Sequence, residues 1–374
     1  MSRFRVVICG GGIAAVEGLL RLRHLVGDAF EITLVAPADE LRYRPAAVQE
    51  PFSRPGVRRY PLRRIARRTD AEWVHDGLEW LDPDEQVVHT TDRRSLPYDG
   101  LLVAVGARLT TPYEHVTVFD DARPDDTYHG LVQDVEGGYT RSVALLLPDG
   151  PAWPLPVYEL ALMTAERAWS VNMQDLSIYL VTPEPAPLAA FGAEASSAVA
   201  ELLRDAKIDL HTGSLAEVPE SRQLVVRPAD TTLEPGRIVA MPRIIGPDIR
   251  DLPKTEDGFI PIDDRCLVDG MGQRVFAAGD AVSFPVKQGG LGAQMADIAA
   301  EGIAALAGAE VEPTPLRPVI RGVLYTGREP LFLTARYANG NIESEVSREQ
   351  AWPADEKIVA EELGPFLHSL DETA

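Results

Sequence analysis

Cysteine is nearly missing from this sequence: its 374 residues include two, Cys9 and Cys266, far apart and in unrelated surroundings. That count excludes a disulfide scaffold, a CxxC redox pair and a thiolate zinc cluster. Histidine is scarce too, and none of the seven stands at the i, i+4 spacing of a helical metal pair. No protein-bound metal is expected. No run approaches the ~20 apolar residues that a membrane span needs. The start of the chain leads straight into Phe4-Arg5-Val6-Val7-Ile8 and then glycines, without the apolar stretch and cleavage site of a secretory signal. The expected location is cytoplasmic. Positive charge is in short supply as well: the net charge of −21 argues against nucleic acid, whose phosphates would be repelled over most of the surface. The positive charge that does occur is bunched. Between Arg54 and Arg68 lie seven arginines (54, 58, 59, 63, 64, 67, 68) and no acid.

A chain of this length is too long for one ordinary core, so two or three domains are expected. With 45% hydrophobic and 25% charged residues it has the balance of a globular protein. The first forty residues carry a clear rhythm. A β-branched run at Arg5–Ile8 meets Cys9-Gly10-Gly11-Gly12-Ile13-Ala14-Ala15. A helix follows with Val16, Leu19, Leu20, Leu22 and Leu25 as its apolar stripe, and a second apolar run begins at Phe30. Strand, glycine turn, helix and strand make a βαβ unit with a right-handed crossover. The rhythm returns later: a strand at Val143–Leu147, a helix over about Val157–Ser170 and a strand at Leu176–Val181. A further helix at Glu194–Arg204 and a strand at Ile208–His211 extend it. The fold class expected is α/β, with two doubly wound, Rossmann-like domains, the second inserted into the first, plus a small C-terminal α+β domain. The expected boundaries are 1–112 and 241–312 for the two parts of the first domain, 113–240 for the second and 313–374 for the last.

Gly10, Gly12 and Ala15 fit the pattern G-x-G-x-x-G/A between a strand and a helix. The first glycine allows a tight turn, and the second lets backbone N–H groups reach a pyrophosphate. The small third residue lets helix and strand pack closely. The phosphates then meet the positive end of the helix dipole. An acid usually ends the second strand of such a fold to hold the ribose. Here the strand ends Leu34-Val35-Ala36-Pro37, with Asp39 and Glu40 later, so backbone or Glu40 takes that role.

Two further stretches give the pattern a family likeness. Val275-Phe276-Ala277-Ala278-Gly279-Asp280 resembles the second flavin motif of the two-dinucleotide-binding-domain flavoproteins. Tyr98-Asp99-Gly100-Leu101-Leu102-Val103-Ala104-Val105-Gly106-Ala107 resembles their crossing segment, with Val105 where threonine is usual. Within that superfamily the chain is similar to the sulfide:quinone oxidoreductase and type II NADH dehydrogenase branch. Arg42-Tyr43-Arg44-Pro45 lies where that branch lines the flavin. Lys287-Gln288-Gly289-Gly290, followed by Gln294, resembles its segment beside the isoalloxazine ring and quinone. The likeness covers about residues 4–310. It implies FAD held by Gly10, Gly12, Ala15, Ala36, Ala104, Gly106, Gly279 and Asp280, with Arg44, Pro45, Lys287, Gln288 and Gly289 near the ring. The cofactor carries the electron chemistry itself, and a cation such as Lys287 would stabilise an anionic reduced ring. No catalytic acid, base or nucleophile stands out.

The chain departs from the branch in two places. Cys9 precedes the phosphate loop as a small strand residue, and Cys266 has no partner near it in sequence, so sulfide oxidation and disulfide reduction are not expected. The second nucleotide loop is altered as well. Relatives that bind nicotinamide place G-x-G-x-x-G before an E-L-A element. Glu159-Leu160-Ala161 is present, but Ala152, Pro154 and Val157 occupy the glycine positions. Proline lacks the N–H a phosphate needs, Trp153 adds bulk and Asp149 adds negative charge. Glu184 stands where a ribose contact would be, and is read as a solvated strand-end acid. NAD(P)H binding is expected to be weakened or lost.

Pro61–Arg68 scans as a short helix with Arg63/Arg67 and Arg64/Arg68 at i, i+4. Neutralisation by the chain's own carboxylates is the plain reading. The sharper one is a docking patch at Arg63, Arg64, Arg67 and Arg68 for an acidic electron carrier such as a ferredoxin. A closing helix is expected after Trp352-Pro353. Its acidic tail argues against a bilayer, and Ile358, Leu363, Phe366, Leu367 and Leu370 would cap the flavin domain or meet another subunit. The flavin elements favour an FAD-dependent oxidoreductase passing electrons from NAD(P)H or another donor to a quinone-like or protein acceptor. The altered second loop favours the alternative, a flavin-binding redox sensor or partner scaffold without turnover.

Overall fold

In the computed structural model the described residues are 3–338, 340–352 and 357–372. Strand β1 (Phe4–Cys9) forms because its Val6-Val7-Ile8-Cys9 run is buried on both faces, the mark of a central parallel strand. On one side it pairs with β2 (Phe30–Val35), from Phe4 opposite Phe30 to Cys9 opposite Val35. On the other it pairs with Gly100–Val103. Strand β5 (Glu72–Val74) extends the sheet beyond β2, and Val275–Ala277 extends it beyond Gly100–Val103. Helix α1 (Ile13–Val26) and the long helix Gly289–Leu306 cover one face together, bridged by Arg21 and Glu301 at 2.9 Å.

The second unit repeats the plan. Its parallel sheet runs Thr117–Val118, Arg237–Ala240, Ser142–Leu146, Ser177–Val181, Ile208–His211, in that spatial order. Its leading helix, Leu155–Ser170, begins two residues earlier than the sequence suggests, with proline in its first turn, where a missing N–H costs nothing. The chain leaves the first sheet and returns to it along an antiparallel ribbon, Arg108–Thr110 against Arg243–Ile245. The second unit is thus inserted into the first.

After the long helix, Val319–Leu324, Leu331–Ala338 and Asn341–Ser347 form an antiparallel sheet. Its Ile320, Leu324, Leu331 and Leu333 join the core of the second unit. The closing helix, Leu363–Asp371, does the opposite and buries Leu363, Leu367 and Leu370 in the core of the first. It starts well after Trp352; Pro353 and the three residues that follow lie outside the described residues.

The closing helix is fastened by charge as well as by leucines. The amides of Glu362 and Leu363, at its N-terminus, donate to the two carboxylate oxygens of Glu17 on α1, at 3.0 and 2.7 Å. One turn along α1, Arg21 reaches Glu301, Glu361 and Glu362, and His24 reaches Glu362 at 3.0 Å. In the middle of this cluster Asp297 is pushed up to about 8, first by burial and then by Glu17, and its Oδ1 has no hydrogen-bond partner among the described residues. The folded chain therefore keeps the Asp297 proton to a far higher pH than the unfolded chain, whose carboxyl titrates near ~3.9. Between those two values the fold binds more protons and loses stability as pH rises. Asp297→Asn removes that loss. Its melting temperature should exceed that of the parent chain by a few degrees near pH 8, at roughly 2–4 °C per kcal/mol. The advantage should shrink on acidification. A variant that melts lower than the parent at both pH values would mean the carboxylate is ionised and useful.

Candidate functional site

The strand order puts a crevice at the C-terminal end of β1, where the chain turns to β2 on one side and Gly100–Val103 on the other. Gly10 sits in it with φ at +137°, and a Cβ there would fall 2.1 Å from the Ala104 carbonyl oxygen, so no other residue fits. At Gly12, in contrast, a Cβ would meet nothing within 4 Å and would project into open cleft. Gly12 caps α1 without a side-chain hydrogen bond, and the first turn holds no acid. Among the described residues nothing accepts from the N–H of Gly11 or Gly12. These donors and the helix dipole converge on one spot suited to an anion.

From that spot a single cleft of about 800 Å³ runs along the first unit and across to the second. Gly10, Gly12, Arg44, Pro45, Ala104, Gly106, Gly279, Asp280, Lys287, Gln288 and Gly289 all line it. Ala15 and Ala36 stand behind the lining, fully buried, where their small size lets α1 and β2 close on β1. Glu40 lines the cleft near the end of β2, in the short strand β3 (Glu40–Tyr43), and its carboxylate lies 3.7 Å from Arg59.

The charged groups of the cleft are mutually arranged. Lys287 is almost wholly buried, its Nζ 2.5 Å from the Val282 carbonyl and 3.7 Å from the centre of the Phe259 ring. Burial lowers its pKa to about 8, against the pull of Asp280. The Asp280 carboxyl is pushed up by burial, and Lys287 and Arg44 draw it back. Arg44 also pairs with Asp121 at 2.8 Å, joining the two units at the cleft. Asp121 carries no sequence signal of its own, since it sits in a loop among other acids.

The second loop is put to a different use from a phosphate cradle. The Ala152 N–H donates to Pro285 O at 3.2 Å and the Lys287 N–H donates to Ala152 O at 3.0 Å, so the loop is stitched to the segment that carries Lys287. Pro154 and Pro156 have no N–H to offer. Leu147, Trp153, Leu155, Pro156, Met241 and Pro242 form an apolar wall there. Glu184 is not the solvated acid expected: it is half-buried, accepting from the Tyr158 hydroxyl at 2.6 Å and from Thr182 Oγ1 at 3.1 Å. Burial raises its pKa. The acid is thus already bonded by side chains of its own domain.

The least expected group is an ion pair. Glu159, of the E-L-A element, is fully buried and bonds Lys357 Nζ at 2.6 Å and the Tyr325 amide at 2.9 Å. Lys357 lies 4.3 Å above the Tyr325 ring and lines the cleft. Burial pushes the carboxyl up and the ammonium down, and their contact opposes both shifts. Glu159 Oε2 has no hydrogen-bond partner among the described residues. The one signal in the sequence was a single lysine in an otherwise acidic tail, followed by Ile358-Val359-Ala360.

Lys357→Met should leave a buried carboxylate unpaired and destabilise the fold by about 3–5 kcal/mol. Adding Glu159→Gln should restore most of that loss, as chemical denaturation of the three proteins would reveal. A single variant as stable as the parent would mean the pair is already neutral.

No family model matches the chain. Among curated proteins it is similar to the sulfide-quinone reductase of Aquifex aeolicus (strain VF5), 29% identical over 109 residues, which make up 28% of this chain and 24% of that protein. The chain thus spans about a quarter of that relative's length. It is also similar to the mitochondrial sulfide:quinone oxidoreductase of Mus musculus, 22% identical over 312 residues, covering 77% of this chain and 67% of the mouse protein. Among solved structures, the sulfide:quinone oxidoreductase of the hyperthermophilic bacterium Aquifex aeolicus superposes with a TM-score of 0.81 at 18% identity, covering 99% of this chain and 95% of that one. The fold is that of this sulfide:quinone oxidoreductase, two nucleotide-binding-type units with the second inserted into the first.

Proposed function

We propose that the chain is an FAD-dependent oxidoreductase that passes electrons from a donor other than a nicotinamide nucleotide to a quinone-like or protein acceptor. The observation that carries this reading is the single cleft. It runs from an anion cradle at Gly10–Gly12 to a second unit whose own nucleotide loop is sealed by the Ala152 hydrogen bonds.

The residues present fit FAD. The N–H groups of Gly11 and Gly12 and the start of α1 would take the pyrophosphate, and the space open beside Gly12 and Gly106 admits it. Asp280, Arg44 and Pro45 would lie along the rest of the cofactor. Bound there, FAD supplies the electron chemistry. Lys287 holds a positive charge in the cleft lining, where it would stabilise negative charge that develops beside it. Lys357 Nζ and Glu159 Oε1 are paired in a dry place of the same lining, and Oε2 has no hydrogen-bond partner among the described residues. The apolar wall around Trp153 and Met241 excludes water and suits an uncharged ring more than a dinucleotide.

The absence of a sulfur redox pair supports a donor other than sulfide. Cys9 and Cys266 are both buried, and burial pushes each thiol far from the thiolate range, Cys9 to about 12.

Anaerobic titration of the FAD-loaded protein tests the reading. Dithionite should bleach the flavin band and a soluble quinone such as menadione should restore it, while NADH and NADPH leave it unchanged. Rapid bleaching by either nucleotide would overturn the donor assignment. A reduced protein that no quinone reoxidises would favour a sensor without turnover, and a colourless protein that refuses FAD would end the proposal. Lys287→Met gives a second check. The midpoint potential should fall by about 30 mV near pH 7, a tenfold change for a two-electron couple. Because the lysine loses its charge through about pH 8, the gap between variant and parent should close at higher pH. No gap at any pH would place the lysine away from the flavin, and a gap that persists unchanged to high pH would mean that it does not act through a charge lost near pH 8.

A further inference from the structure

The arginine-rich stretch divides into two groups. Arg58 and Arg64 turn toward the closing helix, Arg58 to Asp371 and Arg64 to the Leu370 carbonyl at 2.9 Å. Arg64 therefore does not belong to the outward patch that the helical spacing suggests. The others face solvent. Strand β4 (Arg58–Pro61) runs antiparallel to β3 and sets Arg42 directly opposite Arg59, both exposed. Like charges so paired oppose the ladder that holds them. Strand β4 leads directly into α2 (Leu62–Arg68), which buries Leu62, Ile65 and Ala66 and exposes Arg63, Arg67 and Arg68.

Neutralisation within the chain is incomplete. Arg59 has Glu40 at 3.7 Å, and Arg63 lies over the Trp73 ring at 5.3 Å. Among the described residues, no ion pair involves Arg42, Arg67 or Arg68. A cluster of five cations on a hairpin and a two-turn helix, in a chain of net charge −21, is a local inversion of the field around the molecule. Its position is informative, because Arg42 lines the cleft two residues from Arg44. Its composition argues against a lipid surface. None of the exposed large apolar side chains among the described residues stands on β3, β4 or α2, so nothing there could enter a bilayer interface.

We propose that the face made by Arg42, Arg59, Arg63, Arg67 and Arg68 docks a small acidic protein that carries one electron at a time, beside the mouth of the cleft. This rests on the oxidoreductase reading above and narrows its acceptor to a protein. Two such carriers, each accepting a single electron at its metal centre, would discharge one reduced cofactor, the protons passing to solvent. The patch supplies encounter rate and orientation more than tight affinity, so its effect fades with salt.

The test uses the FAD-loaded chain with an acidic plant-type two-iron ferredoxin as probe, binding being read by biolayer interferometry at low and at moderate salt. The parent should bind at low salt and weaken as salt rises. The double variant Arg63→Glu/Arg67→Glu should weaken binding by about tenfold or more at low salt, and Arg63→Lys/Arg67→Lys should keep most of it. A second pair, Arg59→Glu/Arg68→Glu, should act in the same direction. Equal binding by parent and charge-reversed variants would overturn the proposal, and so would no binding by the parent. Binding to phosphatidylglycerol vesicles without binding to ferredoxin would overturn it in favour of a membrane. Flavin content and quinone reoxidation of the same samples report separately on the oxidoreductase reading, which can stand or fall without the docking face.

Discussion

The approach of Gly10 to the Ala104 carbonyl is the contact on which the remaining geometry depends. It brings the loop after β1 against the loop after Gly100–Val103, at the point where the sheet's connections diverge to left and right. A single methyl group at that point would separate the two loops and displace α1, and with it the donors at Gly11 and Gly12. The crevice exists because two backbones touch where most backbones cannot. Arg44, Asp280 and Lys287 then arrive at its walls from two separate segments, with charges balanced against one another more than against solvent.

What was legible in the sequence was local. The first strand, glycine loop and helix announce themselves by spacing, and Ile208–His211 forms the strand its pattern indicates. The long helix begins at Gly289, four residues ahead of the alanine-rich pattern that marks it in the sequence. Glycines are poor helix formers and hid the first turn. The cap is the Gln288 side chain, which accepts from the Leu291 amide at 2.6 Å. The glycine-poor second loop could be read as altered, but not the use it is put to, because Pro285 lies 133 positions away. The Glu159–Lys357 pair spans 198 residues. Patterns of period two or near four carry no information about such contacts; only the folded chain does.

The second unit keeps a nucleotide-type fold while bonding within the chain the groups that would meet a nucleotide. The parallel sheet and leading helix are intact, and Glu184 still ends its strand. Yet each group that would greet a dinucleotide has another partner: Ala152 has the Lys287 segment, Glu184 has Tyr158, and Glu159 has Lys357. On the proposed reading the domain serves as a wall of the cleft in place of a vessel for a second cofactor.

The bonds from Glu362 and Leu363 to Glu17 join points 345 and 346 residues apart. During synthesis α1 emerges from the ribosome long before the segment that completes it. Until then the Glu17 carboxylate has no amides to satisfy it and must stay in water, which keeps α1 from settling fully against its sheet. The helix that heads the anion cradle therefore depends on a segment made some 345 residues after it. Growth of the chain from one end and completion of that helix's surroundings run in opposite order.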